Sequence, residues 1–234
     1  MQQLFDFHSH ILPGIDDGSP DLETSLKMLE LSYAQGVTDV VATPHFDANE
    51  DSIEAFLARR DAAEAALRQA MAGKENLPNL HIGAEVFYFP GISDCDILSS
   101  LAINNKKHIL IEMPSAPWSE QMFDELEGIL YKQALIPIIA HVERYGTPWK
   151  MRKIWKKLQN EPVLIQCNAE FFIQSASQKE AMKRLQKGQI HLLGSDCHDL
   201  DLRQPNIRAA TEQIEAHCDK AWVEELMAKA KECV

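Results

Sequence analysis

Residues 4–18 read LFDFHSHILPGIDDG, with five titratable side chains in fifteen positions. In FDFHSH, Phe5, Phe7 and Ser9 alternate with Asp6, His8 and His10. On a strand the second set falls on one face. Three titratable side chains in a row are costly to bury unless something binds them. A metal site and plain exposure to water are the two readings, and the stretch alone leaves both open. Asp16 and Asp17 follow within a dozen residues, in a DDG sequence that favours a turn.

Working outward, β-rich runs alternate with amphipathic helical runs to the C-terminus. The expected strands are 4–9 (LFDFHS), 38–45 (TDVVATPH), 80–87 (LHIGAEVF), 108–113 (HILIEM), 136–142 (IPIIAHV), 163–169 (VLIQCNA) and 190–196 (IHLLGSD). Between them, Leu22, Leu26, Leu29 and Tyr33 share a helical face, with Ser19 and Pro20 as cap and first turn and Gly36 as terminator. Phe123, Leu126 and Leu130 repeat that spacing after Ser119, and SQKE at 177–180 has the form of a capping box, with Gly188 closing its helix. The last forty residues read as helix. Such alternation implies an α/β fold with a parallel sheet, doubly wound or closed into a barrel. Neither glycine-rich phosphate loop is present, which disfavours a nucleotide-binding sheet.

The last polar residue of each strand run supplies the decisive pattern. These are His8 and His10, His45, Glu85, Glu112, His141, Asn168, and Asp196 with His198. From His10 onward their spacings are 35, 40, 27, 29, 27 and 28 residues, about one βα unit each. Every unit therefore delivers a polar group at its C-terminal strand end, where a barrel builds its active site. His81, His108 and His191 sit at strand starts and His217 in a helical run, so these four are expected to be structural or solvated. The candidate metal ligands are His8, His10, Asp17, His45, Glu85, Glu112, His141, Asp196 and His198. Asp17 rather than Asp16 is chosen, although the loop after the first strand could present either, and the neighbouring Asp either orients it or only favours the turn with Gly18. Nine ligands exceed what one or two tetrahedral ions need, so three divalent ions sharing carboxylates are expected. Imidazole with carboxylate suits Mn²⁺, Fe²⁺ or Zn²⁺, with Mg²⁺ at oxygen-rich positions.

The totals narrow the class. The 234 residues, 45% hydrophobic and 25% charged, suit one globular domain over 1–234. No apolar run reaches bilayer length, no signal-peptide pattern opens the chain, and five cysteines without a Cys-x-x-Cys pair fit a reducing compartment. The expected setting is the cytoplasm, with no membrane insertion. A formal charge of -12 argues against nucleic acid as a partner.

The ordered set DFHSH, DDG, ATPH, GAE, IEMP, AHVERY and GSDCHD resembles the polymerase and histidinol phosphatase (PHP) superfamily over essentially the whole chain. That resemblance implies a distorted, TIM-like (β/α)7 barrel holding three metal ions. Within it, HILPGIDDG, VTDVVATPHF and IPIIAHVERY are most similar to bacterial tyrosine phosphatases of capsule and exopolysaccharide synthesis. Those relatives act, usually with manganese, on phosphotyrosine in the tail of a tyrosine kinase. By the same resemblance one ion would sit with His8, His10, Glu112 and Asp196, a second with Asp17, His45 and His198, and a third with Glu85, His141 and a bridging Glu112. Arg144 and Arg203 match the arginines expected to grip the phosphate. The alternative for Arg144 is a surface ion pair with Glu143. Two stretches depart from the pattern: VFYFPG follows Glu85, where a basic residue is usual, and EFF follows Asn168-Ala169, where Gly or Ser is.

The implied chemistry is in-line attack by metal-bound hydroxide, without a covalent enzyme intermediate. Asp199 and His198 are candidates to assist the leaving group. Phe87, Tyr88, Phe89, Trp118, Tyr145 and Trp149 lie near strand exits and could clamp an aromatic ring. Cys197 and Arg203 have the Cys-x5-Arg spacing of cysteine-dependent phosphatases, but HDLDL offers no glycine-rich phosphate cradle. A small-molecule phosphatase of the histidinol phosphatase type, and a catalytically silent metal-binding regulatory module, are the rival readings.

Overall fold

Branched aliphatic residues fill the strand runs, and in this computed structural model, which describes residues 3–115, 117–145 and 148–234 without the side chains of 148–151, they form a curled parallel sheet. One part of it orders β1 (Leu4–Ser9), β2 (Val37–Ala42) and β4 (Asn79–Ile82). The other runs β3 (His45–Phe46), β5 (Glu85–Phe87), β6 (His108–Glu112), β7 (Ile136–Ile139), β8 (Leu164–Asn168) and β9 (Leu192–Gly194). Every pairing is parallel. IPII and the middle of HILIE are buried almost throughout, as strands covered on both faces must be.

The run expected at 38–45 is two strands, and so is the one at 80–87. Thr43 and Pro44 interrupt the first, where proline offers no N–H to the ladder. Gly83 and Ala84 interrupt the second. Pairing still continues across both breaks, because the Gly83 N–H donates to the Ala42 carbonyl at 2.9 Å and the Glu85 N–H to the Pro44 carbonyl at 3.0 Å.

Helices cover the outer face. α1 (Leu22–Ala34) is capped by Asp21, whose carboxylate accepts from Thr24 N, rather than by Ser19. The Ser19 hydroxyl is turned inward against Ser25. α2 (Ile53–Met71) begins at Ser52, and α3 (Glu120–Gln133) begins at Ser119 as expected and buries Phe123 and Leu126. α4 (Pro148–Leu158) precedes β8, and α5 (Ala169–Ile173) follows it. At α6 (Gln178–Leu185) the capping box does not form, since the Ser177 hydroxyl bonds back to the carbonyls of Phe171 and Gln174. The C-terminal helical run is two helices, α7 (Ile207–His217) and α8 (Ala221–Cys233). No helix among the described residues is long and apolar enough to cross a membrane.

The four histidines set aside by sequence lie elsewhere: His81 pairs with Asp39 at 3.0 Å, His191 accepts from Ile165 N, the exposed His217 donates to the Gln213 carbonyl, and burial lowers the His108 pKa.

The first and last strands are stitched together by Asp6. Its Oδ1 accepts from Ser195 N at 2.7 Å and its Oδ2 from the Ser195 hydroxyl at 2.6 Å. Beyond this clamp, the Asp196 N–H donates to the His8 carbonyl at 2.7 Å and the His10 N–H to the Cys197 carbonyl at 2.9 Å. Burial pushes the Asp6 pKa up to about 6, against the Ser195 bonds that lower it. A folded pKa above the unfolded one favours the protonated state. The Asp6 contribution to stability is therefore fully present below pH 4 and lost as pH rises through 6. Urea unfolding of metal-free protein should show the advantage of wild type over Asp6→Asn shrinking by about 3 kcal/mol between pH 3.5 and 7. A pH-independent difference would contradict this.

Candidate metal centre

Period-two alternation in β1 points Asp6, His8 and His10 to one face, and the curl of the sheet carries the other strand ends towards them. The floor of the site is a buried layer of His8, His10, Glu85, His141 and Asp196, none more than 2% exposed. Glu85 lies at its centre. Its Oε2 is 3.1 Å from His8 Nε2, 3.2 Å from His10 Nε2 and 3.1 Å from His45 Nδ1, and its Oε1 is 2.8 Å from His141 Nε2. Asp196 Oδ1 closes the other side, 3.6 Å from His8 Nε2 and 3.4 Å from His10 Nε2.

The rim is more open. Asp17 Oδ1 is 3.5 Å from His45 Nε2 and 3.4 Å from His198 Nε2. Glu112 approaches His141 at 3.5 Å. All nine expected ligands thus converge, but not in the expected partition. Glu85, not Glu112, meets His8 and His10. Strand register is the reason, because Glu85 pairs with His45 on one side and with Leu110 on the other, while Glu112 pairs with Phe87. Glu112 stands one same-face step nearer the mouth.

Three donor groups have ligand atoms within 4.8 Å of one another: His10, Asp17, His45 and His198; His8, His10 and Glu85; and His45, Glu85 and Glu112. Glu85 Oε2 and His198 Nε2 are buried and have no hydrogen-bond partner. Buried acceptors crowded by ring nitrogens but lacking a well-formed hydrogen bond are places where a cation would be taken up favourably. The donors are imidazole and carboxylate without thiolate, so the residues fit divalent ions of the Mn²⁺, Fe²⁺ or Zn²⁺ type.

The electrostatics follow from burial among opposite charges. Burial opposes the charge of Glu85, but the surrounding imidazoles, His8 foremost, hold its pKa well below the usual carboxylate range. Asp196 is held down in the same way by His8, His10 and Arg144. Burial disfavours charged His10, yet Asp16, Asp196 and Glu85 keep its pKa well above that of free histidine. Burial and the His10 charge push His198 down to about 4, leaving a neutral imidazole with a free lone pair. Burial, then the Glu85 charge, raises the Glu112 pKa.

A second layer of polar groups aims the first. Asp16 orients His10 rather than Asp17, accepting from His10 Nδ1 at 2.8 Å, and it also accepts the His45 N–H. Gln166 Oε1 accepts the His141 N–H at 2.7 Å and lies 3.2 Å from His8 Nδ1, which leaves His8 Nε2 for the cluster. Gln166 Nε2 then donates to Asn168 Oδ1, and Asn168 Nδ2 to Asp196 Oδ2. Gln166 was missed by sequence reasoning, although two polar residues two apart in the apolar run VLIQCNA were its signal. His141 at φ 29° and Asp196 at φ 54° hold left-handed conformations that side chains resist. Gly194 allows the last strand to approach, since a Cβ there would lie 2.5 Å from His8 Cβ.

Both arginines reach this centre. Arg144 Nη2 is 2.6 Å and Arg203 Nη2 2.8 Å from Asp196 Oδ2, and the Glu143 pairing of Arg144 is not formed. Asp199 accepts from the Arg203 and Asp201 N–H groups, which outweigh burial and lower its pKa, so it suits a turn better than proton donation. The Cys197 thiol is buried and its pKa pushed well above normal, first by desolvation, the opposite of what a thiolate nucleophile needs. Of the aromatic candidates, Tyr88 donates to Glu125 and Tyr145 accepts from Met113 N, so both are structural. The Trp149 side chain lies outside the described residues. Phe87 lines a cleft of about 530 Å³ on the Asp17 and His45 side, and a second cleft, about 660 Å³, opens beside Arg144 and Asn168.

A curled parallel sheet with imidazoles and carboxylates gathered at its C-terminal strand ends defines an α/β protein with a metal-type centre. More narrowly, residues 4–234 match the family profile for capsular polysaccharide synthesis, CpsB/CapC, and the chain belongs to that family. It is 30% identical over 228 residues to the tyrosine-protein phosphatase CpsB of Streptococcus pneumoniae, covering 90% of this chain and 89% of that protein. It is 29% identical over 227 residues to the tyrosine-protein phosphatase YwqE of Bacillus subtilis strain 168, covering 91% and 84%. Among solved structures, a chain from work on YwqE of Bacillus subtilis and CpsB of Streptococcus pneumoniae, described as metal-dependent tyrosine phosphatases, shares the fold. The TM-score is 0.86 at 22% identity, covering 98% of this chain and 94% of that one.

If Glu85 is the central donor, Glu85→Gln should lose at least tenfold in affinity for divalent metal, read by equilibrium dialysis with elemental analysis. Glu112→Gln should lose less. The reverse order would refute the central role.

Proposed function

We propose that this chain is a metal-dependent protein-tyrosine phosphatase, a single domain over 1–234 built as a distorted (β/α)7 barrel and working in the cytoplasm. Its substrate on this reading is a phosphotyrosine-bearing protein tail, such as that of a bacterial tyrosine kinase controlling capsule or exopolysaccharide synthesis. The observation that carries the reading is the buried Glu85, whose Oε2 lies within 3.2 Å of three imidazole nitrogens without a well-formed hydrogen bond to any of them among the described residues. A carboxylate so placed suits a cation-centred site far better than a structural core. In support of seven units, the broken pairs β2/β3 and β4/β5 each stand for one interrupted strand.

Three ions, most simply manganese, would be held by His8, His10, Glu85 and Asp196; by Asp17, His45 and His198 beside His10; and by Glu112 and His141 with Glu85 shared. When bound, the ions would supply charge neutralisation at the phosphoryl oxygens and a water acidified towards neutral pH. The chain's own residues do the rest. Asp196 anchors the guanidiniums of Arg144 and Arg203 at the mouth, where their remaining N–H donors suit the phosphoryl oxygens in a planar grip that lysine does not reproduce. A phenolate leaving group, with a pKa of about 10, needs little proton assistance. That agrees with the absence of a well-placed acid at Asp199. The open clefts on both sides of the cluster favour a polypeptide lying across the mouth over a small enclosed metabolite.

With metal-loaded protein and a phosphotyrosine peptide, chelation should abolish phosphate release, and thiol alkylation should leave it intact. Arg144→Ala and Arg203→Ala should each lower kcat/KM by about 10- to 100-fold with metal content unchanged. A metal-free preparation turning over at the full rate would refute the reading. Faster turnover of histidinol phosphate would favour the small-molecule rival, and loaded protein without turnover would favour the silent module.

A further inference from the structure

The two clefts beside the metal cluster carry opposite charge. The cleft on the Asp17 and His45 side is walled by six carboxylates, among them Asp47, Glu50 and Asp51, against a single arginine. That arginine, Arg59, is already paired with Asp51. The cleft on the other side is walled by four cations, Arg144, Arg152, Lys183 and Arg184, and three carboxylates. Glu180 pairs with Arg184 at 2.6 Å, Glu143 is half-buried with one oxygen accepting the Asn168 N–H at 3.0 Å, and Glu170 is exposed and takes the Gln174 amide at 3.4 Å. Cations outnumber carboxylates on this wall, and two of them are spare. Arg152 is exposed and has no hydrogen bond or ion pair among the described residues. Lys183 is exposed and reaches Glu180 only at 3.8 Å. Trp155 also lines the cleft, 1% exposed, and its indole Nε1–H has no acceptor among the described residues.

A cleft with spare donors and cations, in a chain of formal charge -12, is built for an anionic acceptor. It is also continuous with the reacting centre, since Arg144 and Asn168 both line it and both bond Asp196 Oδ2. A substrate lying across the mouth would meet the cationic cleft on one side of its phosphotyrosine and the acidic cleft on the other. The geometry points to a specificity subsite here: the 660 Å³ cleft receives an acidic side chain of the substrate flanking the phosphotyrosine, held by Arg152 and Lys183. This rests on the phosphotyrosine reading above and names the kind of sequence that site prefers. The departure EFF supplies part of the wall, because Glu170 and Phe171 in α5 line the same cleft.

The test uses metal-loaded wild type and the double variant Arg152→Gln/Lys183→Gln on three substrates at low ionic strength. These are p-nitrophenyl phosphate, a phosphotyrosine peptide with glutamates on both sides, and the same peptide with glutamines. Wild type should favour the glutamate peptide about fivefold in kcat/KM, the size that two exposed ion pairs supply. The preference should fade as salt is raised. The double variant should lose it through a higher KM for the glutamate peptide at unchanged kcat, with p-nitrophenyl phosphate turnover within twofold of wild type. A wild type that hydrolyses p-nitrophenyl phosphate but treats both peptides alike overturns the subsite and leaves the phosphatase reading standing. A double variant that keeps the preference, or loses ground equally on both peptides, also overturns it. A loaded wild type inactive on all three overturns both readings together.

Discussion

The burial of one carboxylate among four imidazoles sets the terms for the rest of this structure. Glu85 touches His8, His10, His45 and His141, which come from both parts of the sheet. Isolated charge at such depth costs several kcal/mol, and opposite charge in good geometry is what offsets it. The strands around Glu85 must therefore stay curled, because flattening would separate the partners and leave each one buried alone. The Asp6–Ser195 clamp meets that requirement from below, tying the first strand to the last just under the cluster.

Asp196 extends the same logic towards the mouth. One of its oxygens faces imidazoles and the other gathers Arg144, Arg203 and the Asn168 amide. The metal-type floor and the cationic rim thus meet at a single side chain, each on its own oxygen. Its left-handed backbone, and that of His141, place local strain beside the chemistry, where strong surrounding bonds can hold it. Gln166 and Asn168 supply those bonds from β8 by linking His8, His141 and Asp196 in one hydrogen-bonded chain.

The polarity of the mouth is a surface property added to this buried scaffold. Residues of α4, α5 and α6 line one cleft, while the loop between β3 and α2 lines the other. These parts of the walls lie outside the sheet, although Asn168 of β8 and His45, Phe87 and Glu112 of other strands complete them. This is the usual division between a rigid scaffold and the loops that select what it acts on.

The α/β class and the gathering of His8, His10, His45, Glu85, Glu112, His141, Asp196 and His198 at one end of the sheet were legible in the sequence. Alternation fixes which face a side chain takes, and unit spacing fixes which end of the sheet it occupies. Local patterns were less dependable where tertiary partners competed for them. Ser19 and Ser177 had the look of caps but gave their hydroxyls to other groups, and Pro44 and Gly83 split runs that looked continuous. Height within the site was invisible, because it depends on register between strands distant in sequence. Only the folded sheet could set Glu85 beside His45 and lift Glu112 one step towards the mouth. The orienting chain through Gln166 and the opposed charges of the two clefts were hidden for the same reason: both are made by residues that meet only when the sheet has curled.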